Sequence, residues 1–120
     1  MSIQSEALKA RTMRFALDIC KLIKQLPVDE QGPTAKRQLA KAATSVAFNY
    51  RASCRARSHA EFTSKIGLVA EESDESQGWL EFITAAELLK GADLKRLFEE
   101  STELAKIFSA SAGTARSHRR

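Results

Sequence analysis

Glu72 and Glu75, three residues apart, are the first place to look for chemistry in this chain. Carboxylates at that spacing share one helix face. A metal site in a helical core also needs a histidine three residues beyond an inward glutamate. Neither histidine, His59 or His118, stands there: one opens a helix and the other lies near the end of the chain. Nucleophilic catalysis needs a serine, threonine or cysteine with a base in reach, and these two histidines supply no such partner. Cys20 and Cys54 belong to no C-x-x-C or Cys/His spacing and read as small core or semi-core residues. No glycine-rich loop follows a strand, so a nucleotide-phosphate cradle is not expected. The residues assign no catalytic group, no cofactor and no metal, and a non-catalytic protein is expected.

Charge is the more informative signal. From Thr34 to Ser58 the chain carries Lys36, Arg37, Lys41, Arg51, Arg55 and Arg57 and no acid; from Glu61 to Glu81 it carries Glu61, Glu71, Glu72, Asp74, Glu75 and Glu81 against Lys65 alone. Three uses of this sorting stand open. The two segments pair within one chain; or the basic face of one subunit docks on the acidic face of the next, centred on Glu71, Glu72 and Glu75, which closes rings; or Arg51, Arg55 and Arg57 hold phosphates, to which guanidinium is well shaped. Asn49 falls where a core residue is expected. A buried amide must find partners, so it is expected to bond across to the third helix near Glu72 or Glu75.

Four helices must position these groups. The first is expected from Ser2 to Leu26, with Leu8, Phe15, Ile19, Leu22 and Leu26 on one face and Pro27 as its stop. Residues 27–33 form a loop. Thr34 is expected to cap the second helix, whose stripe of Leu39, Ala42, Val46, Asn49 and Ser53 is small and partly polar. Ser58 and Glu61 make a capping box for the third, which is expected to reach Lys90, with Gly91 as its C-terminal stop and bends allowed at Gly67 or Gly78. Asp93 is expected to cap the fourth, with a frayed tail from Ser109. Short connections between helices favour antiparallel neighbours. The fold class expected is all-α, an antiparallel up-down-up-down four-helix bundle over residues 1–112 with a flexible basic tail over 113–120.

Composition agrees. The 120 residues suit one domain, and only five Gly and two Pro interrupt a chain rich in helix formers. The net charge of +4 tolerates a polyanionic partner without demanding one. No stretch approaches a membrane span, the N-terminus lacks a continuous apolar run of a signal peptide, and a cytoplasmic location is expected.

The segment Ala43 to Ser58, continuing through Glu61-Phe62 and Glu72-x-x-Glu75-Ser76 to Trp79-Leu80, is more specific than composition. It resembles the bacterial four-helix bundle protein family whose founding members are encoded in intervening sequences of the 23S ribosomal RNA gene. The family's pattern falls on Ser45, Val46, Asn49, Tyr50, Ser58, Glu61, Phe62, Glu72, Glu75, Ser76, Trp79 and Leu80, and the resemblance covers about residues 12 to 110. It implies a bundle that assembles as a ring-shaped homopentamer. It also implies a fold similar to the accessory variability protein of diversity-generating retroelements, a basic pentamer associated with a reverse transcriptase and nucleic acid. It carries over no catalytic residues. The function expected is an oligomeric assembly or macromolecule-binding module, with RNA or DNA contacted through Arg51, Arg55 and Arg57. The alternative is a scaffold for protein partners whose basic face is used in subunit contacts.

Overall fold

The computed structural model describes residues 2–118 and is a bundle of four helices measuring 48 × 24 × 19 Å. The order is α1 (Ile3–Leu22), α2 (Gln31–Cys54), α3 (His59–Ala85) and α4 (Ala92–Ser117), running alternately up and down. α2 packs against α1 and α3, and α3 against α4, while α1 and α4 touch far less.

Each helix end has a local cause. Ser2 caps α1 by accepting the Ser5 amide at 3.0 Å, and a 3-10 turn over Ile23–Gln25 tightens its end before Pro27. α2 begins earlier than the expected cap at Thr34. Glu30 turns the chain at φ 56°, and Gly32 and Pro33 lie inside the first helical turn, where a missing proline N–H costs nothing. Gly32 is required there: a Cβ on it would lie 1.9 Å from the Pro27 carbonyl oxygen.

Ser58 caps α3 as expected, accepting the Glu61 amide at 3.0 Å. α3 ends at Ala85 rather than at Lys90. Glu87, not Gly91, takes the left-handed position (φ 56°), with its amide on the Thr84 carbonyl and the Leu88 amide on the Ile83 carbonyl, the paired closure of a Schellman motif. Gly91, at φ 120°, instead precedes α4 as its N-cap, which places Asp93 in the first turn rather than at the cap. α4 continues through Ser117, so the tail expected from Ser109 is helix there, with Ala112 and Ala115 buried. Arg119 and Arg120 lie outside the described residues.

The core is a continuous cluster from all four helices, with Phe15, Ile19, Leu39, Val46, Ile66, Val69, Leu80, Ile83, Leu97, Leu104 and Phe108 at its centre. On α2 the buried positions include Ala35, Ala42, Ala43 and Ala47, which let neighbouring helices approach closely. Ser73 and Ser76 are buried on α3 and satisfied within it, donating to the Val69 and Glu72 carbonyls at 2.7 and 2.8 Å. Gly67 and Gly78 have open space where a side chain would go.

Candidate interaction surfaces

On α2, burial of Leu39, Ala42, Val46, Tyr50 and Ser53 turns the opposite side outward. That side carries Arg37, Lys41, Thr44, Phe48, Arg51 and Arg55, alternately four and three residues apart, so they form one straight stripe. Phe48 sits in its middle, 58% exposed. On α3 the inward heptad Ile66, Val69, Ser73, Ser76, Leu80, Ile83 leaves an outward stripe of Leu68, Glu71, Glu75, Gly78 and Phe82. Leu68 and Phe82 are exposed. Trp79 meets Phe82 edge to face, with ring centroids 5.4 Å apart, a favoured geometry for aromatic pairs. Beside them Gly78 opens a shallow hollow of about 440 Å³, also lined by Glu71, Asp74 and Glu75.

Pairing within the chain consumes little of this charge, the one contact between the two segments being Arg57 with Glu61 at 3.7 Å among the described residues. Among the described residues no ion pair joins α2 to α3. The nearest approach is electrostatic rather than bonded: Lys41 lies close enough to Glu72 to lower its proton affinity. Burial foremost, and then repulsion from Glu75, outweigh that pull and hold the Glu72 carboxyl above the ordinary carboxylate range. The interhelical ion pairs found instead clasp α1 to α4. Arg11 donates from Nε and Nη2 to the two oxygens of Glu100, both at 2.7 Å, and reaches Glu103 at 3.3 Å, while Arg96 meets Asp18 at 3.4 Å.

The sequence-predicted residues are separated by this geometry. Arg51 lines a cleft between α1 and α2 with Glu6, Lys9 and Met13. Arg55 ends α2, and Arg57 stands in the α2–α3 turn, where its one ion pair is with Glu61 at 3.7 Å. The three arginines therefore follow one end of the molecule rather than converge on a point. Glu71 and Glu75 are exposed and Glu72 is half-buried beside them. Asn49 does not cross to α3: it is half-buried and donates to the Ser45 carbonyl one turn back, at 3.0 Å. A side chain on the rim of the stripe finds its own helix nearer than a neighbour.

Sequence reasoning missed the apolar half of these surfaces. Phe48, Leu68 and Phe82 do not stand out by composition. Their signal is the regular four-three spacing on the face opposite the core. It also missed that both histidines meet the last turn of α4: a ring nitrogen of His59 lies 2.9 Å from the Ala115 carbonyl oxygen, and one of His118 lies 2.9 Å from that of Thr114. Among the described residues no group of three or more His, Cys, Asp or Glu is placed to hold a metal ion, and no helix is long and apolar enough to cross a membrane. The buried Tyr50 packs on Phe108 at 5.2 Å, and its hydroxyl is pushed up to about 12, by burial first and then by Cys54.

Fold and surfaces together define an all-α four-helix bundle with oppositely charged outer faces on adjacent helices. The chain belongs to the 23S rRNA-intervening sequence protein family, whose sequence profile it matches over residues 6–110. No curated protein matches it. Its fold is similar to the crystal structure of a protein of unknown function of the S23 ribosomal protein family from Bacteroides thetaiotaomicron. The TM-score is 0.81 at 24% identity, covering 92% of this chain and 99% of that one. Several positions of the family pattern serve the fold here: Val46, Tyr50, Ser76 and Leu80 are buried and Ser58 caps a helix, whereas Glu75 stands outside.

Proposed function

We propose that this chain is a non-catalytic assembly module, whose copies dock the basic outer face of α2 on the acidic outer face of α3 in the next copy. The ring so formed presents basic surface to a macromolecule, with nucleic acid as the favoured partner. The observation that carries the reading is the pair of outer stripes, opposite in charge, each bearing exposed apolar side chains and, among the described residues, joined by no ion pair.

Register supports it. α2 and α3 are antiparallel and joined by a short turn, which sets Lys41 level with Glu72. A closed ring whose axis runs along the bundle keeps these levels. Lys41 then faces Glu71, Arg37 faces Glu75, and Phe48 lies over Leu68 of the next copy. Adjacent corners of a four-helix bundle face outward about a quarter turn apart, and head-to-tail docking through surfaces so placed closes on about four or five copies. The family resemblance implies five. Five copies carry five times the +4 of one chain, which favours an anionic partner.

The test is the mass in solution, by light scattering after gel filtration, of the wild type, Lys41→Glu, and Lys41→Glu with Glu71→Lys. The single reversal is expected to dissociate the oligomer and the double reversal to restore it. An unchanged mass in the single variant would remove α2 from the interface.

A further inference from the structure

We propose that the pole of the bundle where α2 ends, α3 begins and α4 ends is a binding surface for the phosphate backbone of a nucleic acid. This deepens the reading above by naming where the partner sits; it rests on the ring for its multiplicity, while each cluster lies within a single chain.

The fold brings together here what the sequence keeps apart. Arg55 and Arg57 stand exposed in the α2–α3 turn, and Arg57 reaches solvent along almost its whole side chain. His59 begins α3 and touches the Ala115 carbonyl at 2.9 Å, which holds the last turn of α4 against that turn. Arg116 and His118 follow within three residues, both exposed. From Ser109 to His118 α4 has no acid. Of the nearest described acids, Glu61 is taken up by Arg57 at 3.7 Å, and Glu6 pairs with Lys9 at 3.6 Å.

The acidic band does not cancel this charge. Glu71 to Glu75 begin some twelve residues into α3, about 18 Å along the axis, beyond the roughly 10 Å screening length at 0.1 M salt. In the docked ring that band meets Arg37 and Lys41, so the pole stays uncommitted. Exposed guanidinium groups suit bidentate contact with phosphate oxygens. No exposed Phe, Tyr or Trp side chain among the described residues stands at this pole. Bases therefore lack a large stacking platform there, and the surface reads backbone rather than sequence. Repeated once per copy around a rim, such clusters match a long polyanion better than a small ion.

The experiment is fluorescence anisotropy of a labelled structured RNA and a labelled DNA duplex at about 50 and 200 mM salt, with mass measured on the same samples. Three phosphate contacts predict a loss of affinity of about 40-fold between those salts. The variant Arg57→Glu/Arg116→Glu, both outside the docking stripe, is expected to keep the wild-type mass and to lose binding. Kept mass with lost binding supports the pole and leaves the assembly standing. Four results would overturn the proposal: no binding at 50 mM, binding retained by the variant, affinity indifferent to salt, or capture of phosphatidylserine vesicles without capture of RNA or DNA. Loss of binding in that variant only together with loss of mass also counts against it, since the arginines would then serve assembly.

Discussion

Gly32 shows how one residue fixes the geometry of a helix entry. Its hydrogen faces the Pro27 carbonyl, where a Cβ would sit at 1.9 Å. Gly32→Ala is expected to destabilise the fold by about 1–3 kcal/mol, the usual cost of forced overpacking. Gly67→Ala, in open space on α3, is expected to stabilise it by about 0.5–1 kcal/mol through helix propensity. Chemical denaturation of both variants checks the pair, and equal effects would contradict it. Glu72 gives a pH-dependent counterpart. Its proton is held more tightly in the folded chain than in the unfolded one, by burial and by Glu75, so stability falls as pH rises through the carboxylate range. Glu72→Gln is expected to raise the melting temperature at pH 7, by the equivalent of about 0.3 kcal/mol for a relieved like-charge pair. It is expected to change little below about pH 3, where the carboxyl is protonated in both states. The Glu72–Glu75 spacing is legible in the sequence, but the burial of Glu72 and the approach of Gly32 to Pro27 are not until the chain is folded.

At the scale of elements, the four helices and their inward faces are legible because apolar residues recur at helical spacing and Pro27 and Ser58 carry clear stop and start chemistry. The ends that differ, at Gln31 and Ala85, are set by local backbone closure, and the one at Ser117 by tertiary burial. Gly32 nests against Pro27, Glu87 accepts a left-handed turn, and Ala112 and Ala115 bury a segment whose small residues resemble a tail. The α1–α4 seam is likewise invisible in sequence: the residues it joins, Arg11 and Glu100, stand far apart in the chain. Hydrogen bonding to Glu100, against the cost of burial, holds the Arg11 guanidinium more firmly protonated than usual. Because α1 touches α4 little elsewhere, this clasp governs the seam. Arg11→Ala is expected to cost about 1 kcal/mol, as befits a partly exposed bidentate pair. A double-mutant cycle with Glu100→Gln, read by thermal unfolding, should recover most of that as coupling; zero coupling would mean the seam is held by packing.

For the whole molecule, the sorting of charge by helix was legible in the sequence, but its use was not. Only the fold shows that the basic and acidic stripes face outward, that neither pairs with the other within the chain, and that each carries exposed apolar side chains. It also divides the basic residues by level: Arg37 and Lys41 stand beside the acidic band, while Arg55 and Arg57 belong to the pole with His59 and Arg116. Head-to-tail assembly through the stripes is tested by the molar mass of the wild-type protein, measured by sedimentation across the micromolar range. One fixed multiple of 13.3 kDa is expected, fivefold from the family resemblance. A mass of 13.3 kDa at every concentration would contradict it.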